Sequence, residues 1–412
     1  MDTFSYDVIV IGAGPVGENV ADRVVRGGLT AAVVERELVG GECSYWACMP
    51  TKALLRSGSS LRAARSLPGA REAVTGGLDV AAVLRRRDSF ASHWADDGQV
   101  SWLDSAGIAL HRGQGRIAAE RTVEVTGEDG ATVRLTARHA VVVATGSSAL
   151  LPDIAGLREA APWTSREAAA ARTVPGRLAI IGGGVVATEM ATAYASLGSA
   201  VTLLAREALL PSAESFAGAH VTEALRAAGA SVHVGAEVAA VTRDADGTVR
   251  LTLTGGDRVE ADELLVAVGR TPNTHDLGLD RAGLKPGAWL TVDDTLRVIG
   301  EDGTPAGGWL YAAGDVNHRA LLTHQGKYQA RAAGDAIVAR AQGEPVEARM
   351  VVDEDRRVIV GFTVVGPDVA ELLHAATVAI TGEVPLDRLW HAVPAYPTVS
   401  EVWLRLLEAY GR

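Results

Sequence analysis

Residues 6–35, YDVIVIGAGPVGENVADRVVRGGLTAAVVE, decide the fold of this chain. A short apolar run typical of a buried parallel strand leads into glycines, then a helix-like run, then a second apolar strand ending at Glu35. Gly12, Gly14 and Gly17 would allow a pyrophosphate to approach the helix N-terminus, and the acid would bind a ribose hydroxyl. We therefore predict a βαβ dinucleotide site rather than a glycine-rich turn of an ordinary α/β domain.

The same pattern recurs at residues 177–206, RLAIIGGGVVATEMATAYASLGSAVTLLAR. Gly182, Gly184 and Ala187 take the glycine places, but the second strand ends in Arg206 rather than in an acid. An acid there favours the free ribose hydroxyls of NAD, whereas an arginine favours the 2′-phosphate of NADP. Arg206 therefore predicts NADPH; a solvated surface arginine is the alternative, and the neighbouring acid at 207 leaves NADH possible.

The two cysteines of the chain lie in one segment, residues 40–52, GGECSYWACMPTK. Cys43 and Cys48 are typical of a redox pair, although two unrelated core cysteines would also fit the segment taken alone. In an undistorted helix, residues five apart lie too far from each other to be bridged. A disulfide here therefore requires a distorted turn.

Composition limits the remaining possibilities. The chain has 412 residues, of which 48% are hydrophobic, which suits several domains with substantial cores. A net charge of −11 without a basic block disfavours nucleic acid and anionic membranes as partners. The N-terminal apolar run is short and follows Asp2 and Asp7, so we expect neither a signal peptide nor a membrane span and take the cytoplasm as the expected location. Close cysteines in a reducing compartment are more often catalytic than structural.

In full, the chain resembles the flavin- and pyridine-nucleotide-dependent disulfide oxidoreductases, which include dihydrolipoyl dehydrogenase, glutathione reductase, mycothione reductase and mercuric reductase. The cysteine segment resembles the family's GGTCxxxGCxPSK motif, and ATGS, VGRTPN and AAGDV follow in the family's order. The resemblance implies an α/β fold with two Rossmann-like domains and a C-terminal α+β interface domain. Its implied divisions are an FAD-binding domain at 1–150 and 269–342, an NAD(P)-binding domain at 151–268, and a shortened interface domain at 343–412.

The resemblance also implies roles for individual residues. Cys48 would lie against the flavin as the charge-transfer thiolate, and Cys43 would be the interchange thiol that attacks the substrate. Lys52, one of only three lysines, would pair with Glu189 near the flavin. The residues expected to hold FAD are Gly12, Gly14, Pro15, Gly17, Glu35, Arg36, Gly41, Glu42, Lys52, Ala144, Thr145, Gly146, Gly269, Arg270, Gly314 and Asp315. Those expected at the nicotinamide nucleotide are Gly182, Gly184, Val185, Glu189 and Arg206, with Val185 where some relatives have a tyrosine lid.

Two departures from the family pattern affect the expected chemistry. The family's HPTxSE motif, whose histidine serves the partner subunit's site, is YPTVSE here, with Tyr396 in the histidine place and Glu401 in the glutamate place. A phenol is a poor proton shuttle at neutral pH, and His391 could substitute only if its loop were rearranged. Mercuric reductases carry a further C-terminal cysteine pair that this chain lacks, which disfavours that activity.

We therefore predict a homodimeric enzyme, with an active site shared between subunits, that passes electrons from NADPH through FAD and the Cys43–Cys48 pair to a small disulfide or related acceptor. One alternative is direct transfer from the flavin to a quinone or a metal ion. Another is a nucleotide-binding redox sensor with little turnover. No resident metal is expected, and the residues do not identify the substrate.

Overall fold

A computed structural model describes residues 2–342, 347–365, 370–392 and 402–410. The chain forms two compact units. The first unit comprises Met1–Val39, Asp97–Gly146 and Pro272–Arg412, and the second unit comprises Gly40–Asp96 and Ser147–Thr271. The domain boundaries proposed from the sequence remain a prediction.

Among the described residues, strands alternate with helices in the two glycine segments, at 3–35 and 177–205, whereas the strands within 109–149 and those within 231–272 follow one another with no α-helix between them. The strands are β1 (Thr3–Ile11), β2 (Ala31–Glu35), β3 (Ala109–Arg112), β4 (Gln114–Ala119), β5 (Thr122–Thr126), β6 (Thr132–Val143), β7 (Ser147–Ala149), β8 (Arg177–Ile181), β9 (Ala200–Ala205), β10 (Ser231–Val234), β11 (Val238–Arg243), β12 (Val249–Leu253), β13 (Arg258–Ala261), β14 (Glu263–Val266), β15 (Arg270–Pro272), β16 (Leu310–Ala312), β17 (Glu347–Asp353) and β18 (Val358–Val365). The helices are α1 (Pro15–Arg26), α2 (Gly41–Tyr45), α3 (Cys48–Ser66), α4 (Ala70–Ala73), α5 (Val80–Phe90), α6 (Asp97–Ser105), α7 (Ser165–Ala170), α8 (Val185–Ser196), α9 (Ser215–Ala227), α10 (Thr323–Gln342), α11 (Ala370–Thr381), α12 (Leu386–Leu389) and α13 (Val402–Ala409).

In the first unit, the main sheet has the order β3-β2-β1-β6-β5-β4, with β16 paired to β6. Strand β1 is parallel to β2 and to β6, so Ile11 lies between Val34 and Val143. Two clusters of buried side chains pack around this sheet, one built on Ile9 and the other on Val10. Because β1, β2 and β6 run parallel, their carboxyl ends meet at one edge, where the first glycine turn begins.

The second unit repeats this arrangement around a smaller sheet of order β10-β9-β8-β14, all parallel. Ile181 at the end of β8 lies between Leu204 and Val266, so the second glycine turn also leaves the carboxyl edge of a parallel sheet. An antiparallel sheet, β11-β12-β13, belongs to the same unit. Both glycine segments therefore fold as the βαβ units that the sequence predicts.

The C-terminal part of the first unit contains the antiparallel pair β17–β18 with α11, α12 and α13. A small apolar cluster of Ile359, Leu386 and Leu407 holds these elements together. This mixture of strands and helices agrees with the C-terminal α+β domain that the family resemblance implies. Within the described part of the chain, every helix is too short or too polar to span a bilayer.

Candidate active site

The first glycine turn brings backbone close to backbone. Gly12 has φ +102°, and a Cβ on it would lie 2.5 Å from the carbonyl oxygen of Ala144. A Cβ on Gly17 would lie 1.8 Å from the carbonyl oxygen of Gly12. Gly14 is the N-cap of α1 with Pro15 as its first residue, and no side chain caps this end. The first backbone N–H groups of α1 are therefore left without a side-chain acceptor, an arrangement suited to a pyrophosphate.

Glu35 lies at the end of β2, where its carboxylate is fixed by the backbone. Its Oε2 accepts a hydrogen bond from the N–H of Ala13 at 2.8 Å, and its Oε1 accepts one from Glu37 at 2.8 Å. A cavity of about 180 Å³ opens beside it, bounded among others by Gly12, Glu35, Arg36, Gly113, Thr145 and Asn273. The acid predicted to bind a ribose hydroxyl therefore lines a cavity at the first turn.

Asn273 joins two loops that the sequence places far apart. Its side-chain amide donates to the carbonyl oxygen of Thr145 at 3.0 Å, and the Thr145 hydroxyl donates back to the Asn273 carbonyl at 2.9 Å. The N–H of Asn273 also donates to the carbonyl of Gly146 at 3.1 Å. The sequence prediction named the Ala144–Gly146 loop but not Asn273, although it quoted the VGRTPN motif that contains it.

Two further predicted residues have backbone-positioning contacts within the second unit. Arg270 donates to the hydroxyl of Ser147 at 2.6 Å and also to the Ser147 carbonyl. The Gly269 carbonyl accepts the N–H of Leu150 at 2.9 Å. These contacts tie Gly269 and Arg270 to the segment from Ser147 to Leu150.

At the end of β16, a buried glutamine holds the turn that carries Gly314 and Asp315. Gln329 of α10 is fully buried, and its Oε1 accepts the N–H of Gly314 at 2.8 Å and the side-chain amide of Asn317 at 2.8 Å. Sequence analysis missed Gln329, because a glutamine within a helical run gives no separate signal. Asp315 begins the short helical turn Asp315–Asn317.

The cysteine pair of the second unit is a disulfide, Cys43–Cys48, with a Cα–Cα distance of 4.6 Å. Cys43 lies in α2 and Cys48 is the first residue of α3. Between the helices, Trp46 has φ −133° and ψ 0°, and Ala47 has φ −134° and ψ −96°, so neither residue is helical. The distorted turn that the spacing requires is therefore a break between two helices.

Lys52 and Glu189 form an ion pair in the second unit, as predicted. Lys52 lies one turn beyond Cys48 on α3, and Glu189 lies on α8. These helices pack closely, since a Cβ on Gly58 would lie 2.6 Å from the hydroxyl of Ser196. The side chains are 64% and 28% exposed, so the pair contributes at most about 1 kcal/mol to stability.

Arg166, which sequence analysis did not single out, engages both sides of Cys43. Its guanidinium carbon lies 3.8 Å from the ring centroid of Trp46, and its Nε lies 3.2 Å from Oε1 of Glu42. A cation over an indole at such a half-exposed site contributes about 0.5–1 kcal/mol. The available sequence signal was local: Thr164 and Glu167 form a capping box that starts α7 at Ser165, one residue before Arg166.

Helix α7 is held from its other end by buried groups. Arg87, 1% exposed, donates to the carbonyl of Ala169 at 2.6 Å and to that of Ala171 at 2.9 Å. The hydroxyl of Tyr194 donates to the carbonyl of Ala168 at 2.7 Å. These donors satisfy carbonyls at the C-terminal end of the helix, so α7 presents Arg166 from a fixed base.

The second glycine turn has the same entry as the first. Gly182 has φ +135°, and a Cβ on it would lie 2.2 Å from the carbonyl oxygen of Ala267. Gly184 is the N-cap of α8, and Val185, its first residue, is 62% exposed. Arg206 directly follows β9 with an exposed side chain.

The C-terminal motif residues Tyr396 and Glu401 lie outside the described residues. His391 is described: it is exposed, and its N–H donates to the carbonyl of Arg388 at 3.0 Å. Among the described ranges, no group of three or more His, Cys, Asp or Glu side chains is placed to hold a metal ion.

Two dinucleotide-type turns and a disulfide at a helix start define this chain as a two-nucleotide redox protein of the disulfide-containing class. The chain belongs to the pyridine nucleotide-disulphide oxidoreductase family, which matches residues 6–343. The family's dimerisation domain matches residues 318–406. The family resemblance noted from the sequence is thus confirmed.

Several curated relatives are similar over most of the chain. A mercuric reductase from Shigella flexneri is 32% identical over 418 residues, covering 98% of this chain and 71% of the relative. A mercuric reductase from Staphylococcus aureus is 31% identical, covering 89% and 64%. A dihydrolipoyl dehydrogenase from Chlorobaculum tepidum is 33% identical, covering 87% and 76%. The chain therefore spans about two thirds to three quarters of the length of these three relatives.

Solved structures with the same fold include LpdA from Mycobacterium tuberculosis, with a TM-score of 0.69 at 23% identity over 100% of both chains. The Cu(II) complex of RclA, an HOCl-induced flavoprotein disulfide reductase from Escherichia coli, has a TM-score of 0.70 at 19% identity over 98% of this chain and 99% of that one. The predicted architecture of two nucleotide-binding domains and a C-terminal interface domain is confirmed by these likenesses and by the family match.

The family implies FAD and a nicotinamide nucleotide, and the residues present fit both. At the first turn, a Cβ on Gly12 or on Gly17 would collide with a backbone carbonyl oxygen, and Glu35 lines the adjoining cavity. At the second, Gly182 and the uncapped start of α8 provide an equivalent place for a pyrophosphate.

Proposed function

We propose that this chain is a homodimeric enzyme that uses NADPH and FAD to reduce a small disulfide or a related acceptor through Cys43 and Cys48. One observation carries the proposal: the cysteines are joined across the break between α2 and α3, and the ion pair of Lys52 with Glu189 stands one turn beyond Cys48. Bound FAD would supply two-electron transfer between the nicotinamide nucleotide and the disulfide.

The protein favours the thiolate of Cys48 once the disulfide is open. Cys48 is the first residue of the 19-residue helix α3, where the positive end of the helix dipole stabilises an anion. Lys52 follows four residues later, on the same face of the helix, and Glu189 keeps its ammonium in place. Cys43 lies in the five-residue helix α2 and lacks such a helix start, so the two thiols are chemically unequal.

The exchange with a disulfide acceptor follows from this inequality. Two electrons and one proton open the Cys43–Cys48 bond to one thiolate and one thiol. The Cys43 thiol loses its proton and attacks one acceptor sulfur, and the other acceptor sulfur leaves and takes up that proton to become the first thiol. The Cys48 thiolate then attacks the Cys43 sulfur of the mixed disulfide and closes the original bond, and the second acceptor sulfur leaves as a thiolate that takes a proton from solvent. Tyr396 of the C-terminal motif would donate a hydrogen bond to a leaving sulfur but would exchange protons poorly near neutral pH.

The preference for NADPH rests on the end of β9. The strand ends at Ala205, so the second glycine turn has no carboxylate where an acid would bind free ribose hydroxyls. Arg206 follows with an exposed guanidinium available for a 2′-phosphate.

The test is Cys43→Ser, assayed with NADPH against small disulfides, a quinone and Hg(II) or Cu(II). Loss of turnover with every acceptor supports the proposal. Retained turnover with the quinone or the metal ion would instead support direct transfer from the flavin as a second candidate; similarity to mercuric reductases favours including a metal ion among the acceptors.

A nucleotide-binding sensor with little turnover is a third reading from the sequence. It predicts slow flavin bleaching when NADPH and enzyme are mixed anaerobically in a stopped-flow instrument, whereas the proposed enzyme predicts fast bleaching. Light scattering of the purified protein tests the dimer, which the match to the dimerisation domain supports.

A further inference from the structure

We propose that Arg166 is the positioning residue that sets the reactivity of the Cys43 thiol, as Lys52 does for Cys48. The catalytic meaning of this inference rests on the proposed function. The contacts that support it and the experiment that tests it do not. Cys43 has Glu42 on one side in the chain, and Trp46 ends the same turn. Arg166 contacts both, with its guanidinium carbon 3.8 Å from the Trp46 ring centroid and its Nε 3.2 Å from the Glu42 carboxylate.

The electrostatic problem at this turn is Glu42. A carboxylate next to a thiol in the chain disfavours the thiolate, which is the reactive form. The family motif quoted above has threonine at this position, so the charge is a feature of this chain. An arginine beside the carboxylate balances that charge, and it cannot lose its own proton under any working condition.

Contacts at both ends of α7 and the ring of Trp46 fix the position of Arg166. The capping box of Thr164 and Glu167 fixes the start of α7. Buried Arg87 holds carbonyls at the end of the same helix. Trp46 gives the guanidinium a flat surface to stack on, which places the positive charge beside the α2 turn.

The other charged groups near α2 and α3 do not replace Arg166. Charged side chains with hydrogen bonds or ion pairs in this part of the second unit include Glu42, Lys52, Arg62, Arg65, Arg86, Arg166 and Glu189. Lys52 pairs with Glu189, Arg62 donates to the hydroxyl of Ser196, and Arg65 and Arg86 donate to the backbone carbonyls of Gly76 and Ala53. Arg166 forms an ion pair with Glu42.

The experiment uses the FAD-loaded full chain with Cys48→Ser, which leaves Cys43 as the single thiol because the sequence has only two cysteines. The rate of alkylation by iodoacetamide is measured against pH. Adding Arg166→Met should raise the midpoint of this profile by about 1 pH unit and slow alkylation near pH 7 roughly tenfold. Arg166→Lys should restore most of the rate. The control is Arg172→Met, which removes an exposed arginine two residues beyond α7.

Glu42→Gln provides a second and opposite test. Alone it should lower the midpoint, and combined with Arg166→Met it should bring the midpoint back toward that of the parent. An unchanged midpoint in Arg166→Met, or in Glu42→Gln should Arg166→Met fail to fold, overturns the inference. Alkylation requires no turnover, so a shifted midpoint together with unimpaired turnover in Cys43→Ser would sink the proposed function and leave this inference standing.

Discussion

The two glycine turns begin with the same backbone conformation but differ in their third small residue. Gly12 and Gly182 both have positive φ, and a Cβ on either would strike the carbonyl of a neighbouring strand end. In the first turn the third small residue is Gly17, with no room for a Cβ, whereas in the second it is Ala187, which carries one and is fully buried. Helix α1 therefore approaches its turn more closely than α8 approaches its own.

The turns also differ where their second strands end. The residue 23 positions after the first glycine is Glu35 in the first turn and Ala205 in the second. Glu35 is fixed by the N–H of Ala13, so the first site has a carboxylate held in place at the position where we expect a ribose hydroxyl. The second site has no carboxylate at the equivalent position, which is Ala205, and Arg206 follows directly in the sequence. The two turns therefore share one backbone arrangement and differ in the side chains at the ends of their second strands.

The largest expected effect, on FAD content, comes from replacing Gly17 of the first turn by alanine, the residue found at the equivalent position 187 of the second turn. Gly17→Ala places a Cβ against the carbonyl of Gly12, so α1 must move and we expect the protein to purify largely without FAD. The ratio of flavin to protein absorbance measures this. The reciprocal Ala187→Gly should keep FAD and lose only about 1 kcal/mol as a helix-interior glycine. A Gly17→Ala protein with full FAD content would refute the difference in approach.

The next largest effect is expected on NADPH binding, through recognition of the 2′-phosphate by Arg206. Arg206→Ala should cost about 1.5–3 kcal/mol of NADPH binding, a rise of roughly 10- to 150-fold in KM, with little change for NADH. The matched control is Arg36→Ala, the equivalent position in the first turn, which should leave the ratio of the two KM values unchanged. Equal loss for both nucleotides in Arg206→Ala would mean that this arginine does not recognise the phosphate.

The third expected effect is a pH-dependent change in stability at Glu18, in the first turn of α1. Burial raises the pKa of Glu18 in α1 to about 7 from 4.5, and its Oε1 has no hydrogen-bond partner among the described residues. A raised folded pKa costs nothing below the unfolded value, and the cost grows as pH rises toward the folded value. Glu18→Gln should therefore stabilise the protein by about 1–2 kcal/mol at pH 8 and by little at pH 4.5.

Urea unfolding at both pH values checks the Glu18 prediction. Glu128→Gln, which removes an exposed carboxylate of the same unit, should show no such difference. Equal stabilisation of Glu18→Gln at both pH values would show that the carboxyl is not ionising within this window.

The smallest effect on stability is expected at Glu189, whose equivalent in α1 is Asn19. Asn19 donates to the carbonyl of Pro15 in its own helix, whereas Glu189 reaches Lys52 on another helix. Glu189→Gln should change the free energy of unfolding by less than about 1 kcal/mol while slowing turnover more than tenfold. Asn19→Ala should leave turnover unaffected. Normal turnover in Glu189→Gln would restrict the ion pair to a structural role.

What the sequence could predict was local or rested on family pattern. The glycines and Glu35 are recognisable because the spacing of a βαβ turn is fixed by backbone geometry. Lys52 with Glu189 was found only through the family resemblance. Arg166 and Gln329 were missed, because their contacts lie with residues 120 and 15 positions away and depend on how helices pack.

The most direct measurement is an anaerobic titration of the purified yellow protein, once with NADPH and once with NADH, followed by absorbance. The account predicts a long-wavelength thiolate-to-flavin charge-transfer band after two electrons, formed at lower concentrations of NADPH than of NADH. Bleaching of the flavin without that band would contradict it, because Cys43 and Cys48 would then lie outside the path of the electrons.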